Sequence, residues 1–168
     1  MTVKSTSTYP RTINHIGLAV PDLDAAIEWY GSVLGFELFA GPFDLTSDNQ
    51  QFGALINEVL PGVTSFRLAH LATGNGVGLE LFEFIDPPAQ LDACANIPPR
   101  TGFFHVCVTD HDPAALAARI VDRGGRQRTQ VWTTTSGEPY AFVYTEDPWK
   151  NLIEIYSHDY QRTYANFA

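Results

Sequence analysis

One pattern in this chain starts over partway along it, and that restart sharply limits the folds open to it. The segment His15-Ile16-Gly17-Leu18-Ala19, then Ala25-Ala26-Ile27, then Gly35, is echoed by His105-Val106-Cys107-Val108-Thr109, Ala114-Ala115-Leu116 and Gly124. Leu79-Glu80-Leu81-Phe82 is echoed likewise by Ile153-Glu154-Ile155-Tyr156. Self-similarity of this kind marks one supersecondary unit used more than once.

Each copy reads as βαβββ. In the first, residues 13–20 predict a strand that Pro21-Asp22 breaks. Asp22 or Asp24 is placed to cap a helix whose apolar face holds Ala25, Ala26, Ile27, Trp29, Tyr30, Val33 and Leu34, and Gly35 stops it. A short strand over 36–40 follows, and Gly41-Pro42 opens a polar stretch with an inserted helix near 51–60. Strands over 63–71 and 76–85 are joined by Gly74-Asn75-Gly76, a hairpin signal. In the second copy, 103–109 predicts a strand, 113–123 a helix stopped by Gly124-Gly125, and 128–134, 139–145 and 151–157 three strands.

The organisation expected is a flexible N-terminal arm over 1–11, one module over 12–86, and a linker over 87–101 rich in proline. A second module over 102–158 and a tail over 159–168 complete it, giving an α+β fold. The first module carries more chain between its His and Glu (15 to 80, against 105 to 154), a surplus that fits the inserted helix.

The alternation of side chains along a strand singles out four residues. Ile16, Leu18 and Val20 share one face of the first strand, and His15, Gly17 and Ala19 share the other. The second copy repeats this, with Phe104, Val106 and Val108 opposite His105, Cys107 and Thr109. The bulky face can pack under the module's helix, while the other offers an imidazole followed by small residues. Glu80 and Glu154 each sit inside an apolar strand, where a carboxylate is costly unless paired or bound to metal. His15, Glu80, His105 and Glu154 together form an N/O donor set suited to one divalent ion, Zn, Ni, Co, Mn or Fe. Glu83 falls on the face opposite Glu80 and is expected toward solvent. His70, His111 and His158 are likewise expected to be solvated.

Charge narrows the partners. The formal net charge is −9, from 10 Lys+Arg against 19 Asp+Glu, and no basic stripe interrupts it. Such a surface repels phosphate backbones and anionic lipid, so nucleic acid and membrane are not expected partners. No Gly-rich phosphate loop appears, and no apolar run reaches the length of a membrane span. Two cysteines, Cys94 and Cys107, make no disulfide framework, and the polar arm has no signal-peptide core. A cytoplasmic protein acting on a small molecule is the expectation.

These residues resemble the vicinal oxygen chelate superfamily, which includes glyoxalase I, methylmalonyl-CoA epimerase, extradiol dioxygenases and bleomycin-resistance proteins. The resemblance spans residues 12–157. It is carried by Asn14-His15-Ile16-Gly17-Leu18-Ala19-Val20-Pro21-Asp22, Trp29-Tyr30 with Leu34-Gly35-Phe36, Leu79-Glu80-Leu81-Phe82-Glu83, Phe104-His105-Val106, and Asp147-Pro148 leading to Ile153-Glu154. It implies two βαβββ modules forming a curled mixed sheet around a central cup, often as a homodimer. His15, Glu80, His105 and Glu154 match the four metal-ligand positions of the glyoxalase and epimerase branches. Two departures stand out. Asp147-Pro148-Trp149-Lys150-Asn151 replaces the Asp-Pro-Asp-Gly of many relatives, and 36–40 lacks the arginines with which glyoxalase I holds glutathione.

The function expected is a divalent-metal-dependent, glyoxalase- or epimerase-like lyase or isomerase. It would transfer a proton next to a metal-bound carbonyl, with Glu154 or Glu80 as general base and acid. Arg67, Cys107, Trp132, Tyr140 and Phe142 are the pocket candidates. Two other readings stand beside this one: a non-haem Fe(II) dioxygenase using His15, His105 and Glu154, and a non-catalytic protein that sequesters a small molecule.

Overall fold

Asp22 sets the start of the first long helix. Its backbone is extended and its side chain accepts from Ala25 N at 3.0 Å, so α1 runs over Leu23–Leu34. Gly35 ends it in the left-handed region at φ 71°, where glycine has no Cβ to clash. The computed structural model describes residues 10–89, 101–134 and 140–165. The chain divides into two compact units, Met1–Ala89 and Gln90–Ala168. Of the expected arm, linker and tail, residues 1–9, 90–100 and 166–168 lie outside the described residues.

In the first unit, β1 (His15–Ala19) precedes α1, and β2 (Glu37–Thr46), α2 (Gly53–Val59), β3 (Ser65–Ala72) and β4 (Gly78–Asp86) follow. The strands form one mixed sheet in the order β1-β4-β3-β2, with β1 parallel to β4 and the other pairs antiparallel. Ala69, Leu71, Leu79 and Leu81 are buried on one face of β3 and β4, as are Leu23, Ala26, Trp29, Tyr30 and Val33 of α1. Burying each large apolar side chain of this kind contributes about 1.5–3 kcal/mol. That burial pins the alternation of the sheet and sends the even-numbered residues of β3 and β4 to the opposite face.

The strand expected over 36–40 runs on to Thr46, and Gly41-Pro42 does not end it. β2 is an edge strand that pairs with β3 alone, so a missing N–H on its outer side breaks no ladder. Register shifts between Leu38 and Ala40 and between Ala40 and Phe43 absorb the irregularity.

The second unit holds β5 (His105–Thr109), α3 (Pro113–Asp122), β6 (Arg126–Gln127), β7 (Trp132–Thr133), β8 (Ala141–Glu146), β9 (Leu152–Tyr156) and α4 (Tyr160–Tyr164). Its sheet has the order β5-β9-β8-β6, with β7 also on β8 and β5 parallel to β9. Asp112 caps α3 as Asp22 caps α1, accepting from Ala115 N at 3.0 Å. Leu116, Ala117 and Ile120 of α3, together with Val143, Ile153 and Ile155 of the sheet, form the core. Thr145, fully buried among them, donates its hydroxyl to Ile153 O at 3.0 Å.

Of the strand expected over 128–134 only Trp132–Thr133 forms, and a second short piece, Arg126–Gln127, lies before it. Arg128 N and Thr129 N both donate to Tyr144 O, and Thr129 Oγ1 accepts from Tyr144 N at 3.1 Å. A side chain there takes a place in the ladder that backbone would hold, and pairing stops until Trp132. Within the expected tail, Asp159 accepts from Arg162 N and starts α4. No helix among the described residues is long and apolar enough to cross a membrane. The fold is α+β, two βαβββ units each built on its own mixed sheet.

Candidate metal and active site

In both units a histidine of the first strand meets a glutamate of the last. Parallel pairing sets Gly17 against Glu80 and His15 against Gly78, and it sets Cys107 against Glu154 and His105 against Leu152. Each histidine therefore lies two residues before the position facing the glutamate, on the same face, and its ring reaches across. His15 Nε2 stands 3.5 Å from Glu80 Oε2, and His105 Nε2 stands 3.2 Å from Glu154 Oε2. Gly17 leaves space beside Glu80, where an added Cβ would touch the Phe82 ring at 3.4 Å.

The first pair has a partner on either side. His15 Nδ1 is 2.8 Å from Asn14 Oδ1, an oxygen that can only accept, so Nδ1 carries the hydrogen. A neutral His15 ring then turns the Nε2 lone pair toward a carboxylate oxygen. Two acceptors facing each other require a proton or a cation between them. From β3, His70 stands directly opposite Glu80, with Nδ1 3.2 Å from Oε1. His70 was expected in solvent; the antiparallel register puts it on the Glu80 carboxylate instead.

The second pair is more enclosed. Glu154 is 8% exposed and has His105, Cys107 and Tyr144 about it. Tyr144 stands directly opposite it on β8, and burial, followed by the neighbouring carboxylate, pushes the phenol's pKa above its usual range. Desolvation first, then the charge of Glu154, pushes the Cys107 thiol up to about 12, which disfavours a nucleophilic thiolate, and its Sγ bonds Val108 O at 3.8 Å. The His105 ring lies edge-on to Phe104 at 4.4 Å and to Tyr144 at 5.8 Å. Its Nδ1 is buried without a hydrogen-bond partner. Further along the same face, Tyr156 stacks on Phe142 at 5.1 Å and shares a 2.9 Å hydroxyl contact with Tyr164.

Among the described residues, no group of three or more His, Cys, Asp and Glu side chains is arranged to hold a metal ion. The first unit presents two imidazoles with one carboxylate and the second one imidazole with one carboxylate, a donor chemistry that fits Zn, Ni, Co, Mn and Fe(II). The His15 lone pair held toward Glu80 by Asn14 is the feature that fits a cation most directly.

The pocket candidates divide. Cys107 and Phe142 lie on the glutamate face of the second unit, and Trp132, half exposed, pairs with Phe142 there. Tyr140 stacks on His158 at 4.2 Å and accepts from Arg162 Nε at 3.4 Å. His158, expected in solvent, also bonds Ser157 Oγ at 2.8 Å, while His111 is exposed as expected. Arg67 lies on the opposite face of β3 from His70, paired with Asp24 and Glu83 at 3.0 Å and Asp44 at 3.6 Å. It therefore serves the helix side of the sheet and is not a pocket residue. Glu83 lies opposite Glu80 as expected, but not in solvent, since it accepts from Leu23 N at 3.2 Å as well as from Arg67. His70 and Tyr144 are the site residues that sequence reading missed.

A βαβββ unit used twice, with an imidazole and a carboxylate on matching strands of each, defines the vicinal oxygen chelate class of fold. The chain belongs to the glyoxalase/bleomycin resistance protein/dioxygenase superfamily, whose profile matches residues 12–155. A 2-epi-5-epi-valiolone epimerase from Actinomyces sp. is 30% identical over 146 residues, covering 85% of this chain and 77% of its own. An ethylmalonyl-CoA/methylmalonyl-CoA epimerase from Cereibacter sphaeroides is 26% identical over 145 residues, covering 85% of this chain and 95% of its own. Among solved structures, a glyoxalase family protein from Bacillus cereus superposes with a TM-score of 0.71 at 22% identity, covering 92% and 97% of the two chains.

Proposed function

We propose that this chain is a divalent-metal-dependent epimerase or isomerase that moves a proton at a carbon next to a carbonyl of a small molecule. The observation that carries the reading is the repeated His–Glu pair, His15 with Glu80 and His105 with Glu154, at the same register position of both units. The names of the two epimerase relatives support it. His15, Glu80, His105 and Glu154 would hold the cation. Once bound, it would supply Lewis-acid polarisation of the substrate carbonyl and so acidify the neighbouring C–H.

The chain's own residues do the rest. Glu154 is the stronger candidate for the base that takes the proton from carbon and returns it. It is nearly buried, which keeps water from the transfer, and Tyr144 and Cys107 face it from the neighbouring strands. Glu80, flanked by two imidazoles, is the second acid–base candidate.

Protein purified without chelator is analysed for metal, then loaded and incubated in D2O with 2-epi-5-epi-valiolone and, separately, with methylmalonyl-CoA. Deuterium entering the substrate carbon only when metal is present is the expected result. Metal-dependent oxygen uptake with a catechol would move the chain to the dioxygenase branch. Stoichiometric ligand binding without metal and without exchange would make it a sequestration protein.

A further inference from the structure

His70 and Tyr144 occupy the same place in their two units. Each sits on the strand next to the glutamate strand, directly opposite the glutamate in the antiparallel register, His70 against Glu80 and Tyr144 against Glu154. His70 Nδ1 is 3.2 Å from Glu80 Oε1, and Tyr144 brings its phenol to the Glu154 side of the sheet from the same register position. The two residues share no chemistry except a donor at the end of a ring. A glutamate side chain has three torsions, and a contact to one oxygen leaves the carboxyl free to swing about that point. In the first unit His15 Nε2 lies 3.5 Å from Oε2 and His70 Nδ1 lies 3.2 Å from Oε1, so each oxygen has an imidazole beside it.

We propose that His70 and Tyr144 are positioning residues, each fixing the orientation of the glutamate opposite it so that an oxygen stays aimed at the first-strand histidine and at a cation bound beside it. This rests on the metal-dependent reading above. Partners of ligating carboxylates typically change metal affinity by about 10- to 100-fold when removed. A role confined to sheet stability would leave that affinity untouched.

Wild type, His70→Ala, His70→Asn and Tyr144→Phe are compared in two measurements, after thermal unfolding shows that each is folded. The first follows 13C-labelled glutamate carboxyl signals by NMR in chelator-treated protein, and so needs no cation. The second measures Co(II) affinity by competition with a chromogenic chelator. His70→Ala is expected to shift and broaden the Glu80 signal and weaken Co(II) binding by at least about tenfold. His70→Asn, whose carboxamide N–H stands in for Nδ1, restores both. Tyr144→Phe does to the Glu154 signal what His70→Ala does to Glu80, with a similar loss of affinity. Should His70→Ala unfold, His70→Leu keeps the bulk and takes its place.

Unchanged carboxyl signals in His70→Ala and Tyr144→Phe overturn the proposal, whatever the cation does. Moved signals with wild-type Co(II) affinity overturn it as well, since the orientation would then not matter to the ion. A wild type that binds no Co(II) sinks the metal-dependent reading instead, and the carboxyl signals alone then decide whether the two residues hold the glutamates.

Discussion

Glu83 and Arg67 meet at 3.0 Å on the helix side of the first sheet, three residues along β4 from Glu80 but on the other face. Glu83 also accepts from Leu23 N, the first residue of α1, so it ties that helix to the sheet. Asp24, in the same helix turn, grips the other guanidinium nitrogen of Arg67 at 3.1 Å, and its hydrogen bonds hold the arginine firmly charged.

Two neighbouring glutamates of one strand therefore have separable roles. Glu83→Ala strands the Leu23 N–H and the Arg67 charge, and it should lower stability by about 1–3 kcal/mol while leaving Co(II) affinity at the wild-type value. Glu80→Ala should do the reverse, with affinity lost and the thermal midpoint nearly kept. Thermal unfolding and chelator competition on both variants check the pair.

Glu154→Gln keeps the shape and a carbonyl oxygen but removes the base. Turnover should fall by about a hundredfold to ten-thousandfold, with metal partly retained. Deuterium exchange at the substrate carbon should vanish alongside turnover. Exchange at the wild-type rate would transfer the base role to Glu80.

Cys107 should be a slow thiol. With its pKa raised to about 12, chelator-treated protein at pH 8 carries far less thiolate than an unperturbed cysteine would. Iodoacetamide labelling in a Cys94→Ser background should be correspondingly slow and should climb with pH well past 9. The same shift has a stability consequence. The folded state keeps this proton where the unfolded chain has lost it, so the contribution is intact below the ordinary thiol range and drains away as pH rises toward 12. Labelling at the rate of a free thiol would contradict both statements.

Lys150 occupies the left-handed region at φ 73°, in the turn between β8 and β9. The turn is held by Asp147, whose Oδ1 accepts from Trp149 N and Asn151 N and whose Oδ2 accepts from Asn151 Nδ2. A side chain in that conformation costs about 1–2 kcal/mol, part of which returns through the freer unfolded chain that glycine brings. Lys150→Gly should therefore raise the urea midpoint modestly, and a lowered midpoint would show the lysine making a contact of greater worth.

The repeat carried most of the architecture. Alternation along 15–19 and 105–109 put both histidines on the face away from the helices, and the caps Asp22 and Asp112 set where those helices begin. His70 was legible too. Asn75 stands midway between His70 and Glu80 in the hairpin, so the turn alone puts them face to face. Histidine near a strand end reads as polar surface, which masks that pairing in the sequence. Arg67 was not legible, because its partner Asp24 lies far along the chain and only the docking of α1 brings them together. The broken strand at 128–134 was equally hidden, since one hydroxyl, that of Thr129, displaces the ladder there.

In each unit the imidazole comes from the opening strand and the carboxylate from the closing one, lying side by side in parallel. A nascent chain thus has no His–Glu pair until the last strand of a unit has been made and has slotted in beside the first. Polar partners arrive together with a finished framework, so an incomplete unit never presents its carboxylate beside its imidazole.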